Sequence, residues 1–177
     1  MMMQKEKGRI HLYYGDGKGK TTAAVGSAVR ALGQGLDVLF VQFLKDDSSG
    51  ELEPLRKLGA EVLCGPAKQK FTFLMDETEK LECARQQNAR LRQAMTWAEG
   101  KPGAMIILDE VVDAAQLGFL PQKELCRWLD DCREAEIILT GHSAPQWAAE
   151  RADYVTCMGC EKHPYQQGQP ARRGVEY

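Results

Sequence analysis

The sequence predicts an α/β layer fold, a mostly parallel central β-sheet flanked by helices, and three observations predict it. A strand-like apolar run, a glycine-rich turn and a helical period follow one another across residues 10–32. Near-continuous apolar runs, of the kind that parallel sheets bury on both faces, recur at residues 38–44 and 104–108. Helical patterns alternate with these runs, which is the order a layered α/β domain requires.

Each element has its own reason. Residues 10–14 (IHLYY) are apolar and aromatic, and the glycines of residues 15–19 cannot extend that strand. From Lys20 the set Ala24, Val25, Ala28, Val29 and Leu32 keeps a helical period, which Gly33 and Gly35 end. Residues 38–44 (VLFVQFL) read as a buried strand, 45–50 as a polar loop, 51–58 as a short helix and 60–64 as a short strand. Residues 65–75 mix Pro66 with Phe71 and Phe73 and keep no helical period. Residues 76–99 predict a long helix whose buried stripe is Leu81, Ala84, Leu91, Ala94, Met95 and Ala98. Lys101, Pro102 and Gly103 break it, and residues 104–108 (AMIIL) form a strand running into Asp109 and Glu110. A helix over 121–131, a strand over 136–139, a helix over 144–151 and a strand over 154–158 follow. The polar tail, 159–177, is expected to lie on the surface. Without repeats or a linker, residues 1–177 are expected to form one domain.

Bulk properties exclude several function classes. A formal net charge of −2 gives no general attraction to nucleic acid or anionic membrane. No apolar run reaches the length of a membrane span, and residues 1–7 lack the apolar core of a signal peptide, so the expectation is a cytoplasmic protein. Six cysteines in such a chain are expected as free thiols. Cys157 and Cys160 form a lone CxxC with His163 nearby, but no second ligand pair stands at metal-binding spacing.

The chemistry-bearing stretch is Tyr14-Gly15-Asp16-Gly17-Lys18-Gly19-Lys20-Thr21-Thr22. Between a strand and a helix, such a turn aims backbone N–H groups and the helix N-terminus at phosphates. Lys20 is placed for the outer phosphates, and Thr21 for a hydroxyl contact to Mg²⁺. The first glycine of the P-loop pattern is missing, because Tyr14 stands there. Asp109 and Glu110 close an apolar strand as a Walker B segment does, and either carboxylate is a candidate Mg²⁺ ligand. These motifs predict a P-loop NTPase (RecA-like) fold that binds a nucleoside triphosphate with Mg²⁺. On motifs alone the reaction stays open among hydrolase, kinase and other transferase.

The loop YGDGKGKTTAA resembles the GNGKGKTTAA loop of the ATP:corrinoid adenosyltransferases, a family whose loop also lacks the first glycine. Further segments resemble that family in order: Val41-Gln42-Phe43-Leu44-Lys45 with Gly50-Glu51, Phe71-Thr72-Phe73, Leu108-Asp109-Glu110, Leu139-Thr140-Gly141 with Ala144-Pro145, Ala152-Asp153 with Val155-Thr156, Lys162-His163 and Gly174-Val175-Glu176-Tyr177. The resemblance implies transfer of the adenosyl group of ATP to a Co(I) corrinoid with release of triphosphate. It implies that Gly15 to Thr22 hold ATP, that Thr21, Asp109 and Glu110 hold Mg²⁺, and that Lys20 and Glu110 serve catalysis. It gives Phe71 and Phe73 the displacement of the lower axial ligand of Co(II), which eases reduction. A reduced flavin or flavoprotein donor and a homodimer are also implied. Phe73 replaces the usual Trp, His142 stands where Arg is frequent, and Cys157 and Cys160 lie outside the pattern. Some members carry a longer N-terminal segment that covers the site. This sequence begins only a few residues before its first strand, so the corrinoid cover is expected to be looser or to be supplied by something else. A P-loop hydrolase or kinase, and a non-catalytic corrinoid carrier or nucleotide sensor, are the alternatives.

Overall fold

A computed structural model describes residues 7–66 and 74–175. The expectations for Phe71 and Phe73 therefore lie outside the described residues. Six strands form one parallel sheet: β1 (Ile10–Tyr14), β2 (Val38–Gln42), β3 (Glu61–Leu63), β4 (Met105–Asp109), β5 (Glu136–Gly141) and β6 (Tyr154–Cys157). Their order across the sheet is β3-β2-β4-β5-β1-β6. Strand β5 thus separates the strand before the glycine turn from the strand that ends in Asp109.

Alternation along the strands divides the core into two layers. Phe40, Ile107 and Ile138 face one side, where they pack on Ala24, Ala28 and Ala31 of α1 (Lys20–Gly33) and on Leu52 and Leu55 of α2 (Leu52–Lys57). Leu39, Val41, Ile106, Leu108, Ile137 and Leu139 face the other. That side is covered by α3 (Glu77–Ala98), α4 (Val111–Gln116), α5 (Gln122–Asp131) and α6 (Gln146–Ala149). A 3₁₀ turn at Pro164–Gln167 is the last element, in an exposed tail as expected.

Several local expectations are corrected. Strand β2 ends at Gln42, because Leu44 turns into a left-handed conformation with φ 56°. Helix α1 packs through Ala24, Ala28 and Ala31, with Val25 and Leu32 partly buried against the same core. Of the set read from the sequence, Val29 alone is exposed. Helix α6 begins only after Pro145, whose ring disfavours helical backbone at the preceding Ala144. Helix α4 has no counterpart in the sequence reading. On α3 the stripe holds at Leu91 and Ala94 but fails at Leu81, which is 73% exposed; Cys83, Gln87 and Arg90 are buried instead. Asp76 caps α3 by accepting from the Glu79 N–H while Glu79 returns a bond to the Asp76 N–H.

Candidate active site

The glycine turn is shaped by close backbone contact with the segment after β6. The Gly17 N–H donates to the Met158 carbonyl at 2.8 Å. A β-carbon on Gly15 would meet that carbonyl oxygen at 2.4 Å, and one on Gly17 would meet the Gly159 carbonyl oxygen at 2.5 Å. Tyr14, where the P-loop pattern has its first glycine, is the end of β1, paired in register with Cys157. A hydrogen bond to Cys157 holds the Tyr14 hydroxyl proton above its ordinary range. Gly19 precedes α1 without a side-chain cap, which leaves the helix N-terminal N–H groups for a ligand.

Lys20 is buried and folds back on the turn, donating from Nζ to the carbonyls of Gly15 at 2.6 Å and Gly17 at 3.0 Å. Thr21 Oγ1 donates to Asp109 Oδ1 at 2.9 Å. The P-loop helix and the acid-terminated strand therefore meet, as their motifs predict. Thr22 lies beside them, where Thr21, Thr22, Val25, Lys45 and Glu51 line a cavity of about 360 Å³ that Gly174 and Val175 of the tail also border. Asp16 and Lys18 are exposed. Lys18 lines a second cavity, of about 390 Å³, with Gly17, Lys162, His163 and Arg172.

Asp109 is fully buried and is held from three further directions. Thr140 Oγ1, on the intervening strand β5, donates to Asp109 Oδ1 at 2.8 Å and accepts the Glu110 N–H at 2.8 Å. Lys45 Nζ donates to Asp109 Oδ2 at 2.9 Å. Gln42 Nε2 reaches the same oxygen at 3.5 Å and Glu51 Oε1 at 3.0 Å. Gln42 Oε1 is buried and unpaired among the described residues. A hydroxyl in contact with a buried carboxylate is a pair of hard oxygen donors of the kind Mg²⁺ takes, so Thr21 and Asp109 fit that ion.

Glu110 is only partly aligned with this cluster. One carboxylate oxygen lies 3.9 Å from Lys45 Nζ and the other 3.8 Å from His142 Nδ1. Burial first, and then the charge of Asp109, push its carboxyl up to about 7 against the pull of Lys45. His142 follows β5 and is anchored to Asp113 of α4, through its backbone N–H at 3.0 Å and Nδ1 at 3.1 Å. Glu110, Asp113 and His142 are the convergent metal-ligand types among the described residues; Cys157, Cys160 and His163 do not join them.

Residues 6–177 match the family model described as ATP:corrinoid adenosyltransferase BtuR/CobO/CobP. The chain belongs to the ATP:corrinoid adenosyltransferase family. A corrinoid adenosyltransferase of Pseudomonas aeruginosa is 33% identical over 177 residues, covering 97% of this chain and 85% of that protein. One from Escherichia coli is 31% identical, with 98% and 88% covered. The Corrinoid adenosyltransferase CobA of Salmonella typhimurium is 32% identical over 182 residues, with the same coverages.

Set against the family loop, the residues that sequence reasoning left without a role in this adenosyltransferase are Lys45, Gln42, Thr140 and Asp113. Gln42, Lys45 and Thr140 stand inside segments that carry the resemblance, but a segment match assigns no contacts. No helix among the described residues is long and apolar enough to cross a membrane.

Proposed function

We propose that the chain transfers the 5′-deoxyadenosyl group of ATP to the cobalt of a Co(I) corrinoid and releases triphosphate. The match of residues 6–177 to the adenosyltransferase family carries this reading, and it disfavours the hydrolase or kinase alternative. In the reaction, cobalt supplies the electron pair for the new Co–C bond. The C5′–O bond breaks, and its pair leaves with the triphosphate. A multiply charged leaving group needs fixed positive charge and N–H donors rather than a protein base.

The chain's own residues are assigned on that basis. The backbone of Gly15 to Gly19 and the first N–H groups of α1 hold the phosphates, with Asp16, Lys18 and Thr22 at the rim of the turn. Lys20 exchanges its two carbonyl partners for phosphate oxygens, a change that costs little because both partners are neutral. Thr21 and Asp109 hold Mg²⁺, with Glu110 beside them. When bound, the ion neutralises charge that builds on the leaving triphosphate. Phe71 and Phe73 keep, by resemblance, the task of excluding the lower axial ligand. A single domain over 1–177, a homodimer, a reduced flavin or flavoprotein donor and a cytoplasmic setting complete the reading.

Anaerobic incubation with MgATP and chemically reduced cob(I)alamin tests it. The expected products are light-sensitive adenosylcobalamin and intact triphosphate, with Lys20→Ala inactive. An unchanged corrinoid, with ATP split to ADP and phosphate, would overturn the assignment.

A further inference from the structure

The backbone turn that carries Lys45 towards the candidate metal site is fixed by hydrogen bonds from α3 and the exit of β2. Phe43 is buried after the end of β2, and Leu44 then turns through φ 56° with its N–H directed at Gln87 Oε1, 3.4 Å away. Arg90 of α3 fixes the same exit, donating from Nη1 to the Gln42 carbonyl at 3.0 Å and to Gln87 Oε1 at 2.8 Å. The turn sends Lys45 back over the strand ends. Its Nζ lies 2.9 Å from Asp109 Oδ2, 3.4 Å from Thr21 Oγ1 and 3.9 Å from Glu110 Oε1.

An ammonium in contact with Asp109 and close to Thr21 competes with a divalent cation for the same two residues. Two cations that share one fully buried carboxylate repel each other. The ammonium also has somewhere to go. Lys45 lines the cavity of about 360 Å³ with Thr21 and Thr22, and its four-carbon stem is flexible. We infer that Lys45 is a resident counter-ion that opposes binding of the free metal and yields to it when nucleotide phosphates take the ammonium, so that metal and nucleotide bind as a linked pair. This rests on the reading of Thr21 and Asp109 as metal donors. The coupling is reciprocal, because each ligand raises the affinity for the other by the same factor.

Mn²⁺, followed by electron paramagnetic resonance, serves as the probe, titrated with and without ATP and with no corrinoid present. Wild type is expected to bind Mn²⁺ weakly alone and about tenfold or more tightly with ATP, within the usual range of coupling. Lys45→Met and Lys45→Gln should bind Mn²⁺ alone about tenfold more tightly than wild type and gain much less from ATP. Lys45→Arg keeps the charge and should keep the linkage, which leaves a well-folded variant if neutral ones are unstable. Wild-type Mn²⁺ affinities in the neutral variants, or tight ATP-independent binding in Lys45→Arg, would overturn the inference. If those results came while Thr21→Ala and Asp109→Asn lost Mn²⁺, the metal site itself would stand. Unchanged binding in Thr21→Ala and Asp109→Asn would overturn both.

Discussion

Glu110 follows the last residue of β4 with φ 61°, a left-handed conformation that costs a residue with a β-carbon roughly 1–2 kcal/mol. The Thr140 hydroxyl that accepts its N–H holds it there and ties the turn to β5. The carboxyl is raised from an ordinary 4.5 to about 7, by burial first and Asp109 second. A raised acid works against the fold in the charged form. Between about 4.5 and about 7 the folded chain keeps a proton that the unfolded chain has released, so stability falls as pH rises through that window. Glu110→Gln removes the cost. In EDTA, this variant should exceed wild type in free energy of unfolding at pH 8 by up to roughly 3 kcal/mol, and lie near wild type at pH 5. Equal differences at both pH values would show that the buried charge is not what separates the two proteins.

Helix α3 shows how a local period can be right for half an element. Arg90 and Gln87 touch the exit of β2, and Trp97 Nε1 donates to Glu61 at the start of β3, so the helix runs antiparallel to those strands. Its residues before Gln87 extend on the order of 15 Å past the strand ends, at 1.5 Å per residue. Leu91 and Ala94 lie over the sheet and are buried; Leu81 lies beyond it and lines an open groove with Leu117 and Phe119. Leu91→Ala should therefore cost about 2–5 kcal/mol in chemical denaturation, while Leu81→Lys stays within about 0.5 kcal/mol. A large loss at Leu81 would mean that the groove is covered in solution. Strand β1 and helix α1 were legible because glycines punctuate a sharp change of period. Helix α4 was not, since six residues starting from a left-handed Glu110 offer too few turns to register.

At the scale of the molecule, the candidate site joins parts distant in sequence through the strand order. The turn before α1 and the end of β4 were each legible, because a glycine-rich loop and an acid pair closing an apolar run are local signals. Their convergence through Thr21 and Asp109 follows from placing β5 between β4 and β1, and Lys45 arrives because β2 flanks β4 on the other side. Adjacency of that kind is set by which strands pair, and no stretch of sequence encodes it locally. A ligand bridging these parts should stabilise the whole fold, because it binds the assembled site and not the unfolded chain. At about 100 times its dissociation constant, MgATP contributes ~2.7 kcal/mol. For a chain of this length that corresponds to a rise of roughly 5–10 °C in Tm. Thermal unfolding should show that shift in wild type and little of it in Lys20→Ala, whose unliganded Tm provides its own baseline. An equal shift in Lys20→Ala would place the nucleotide away from the glycine turn, and with it the chemistry assigned to Thr21 and Asp109.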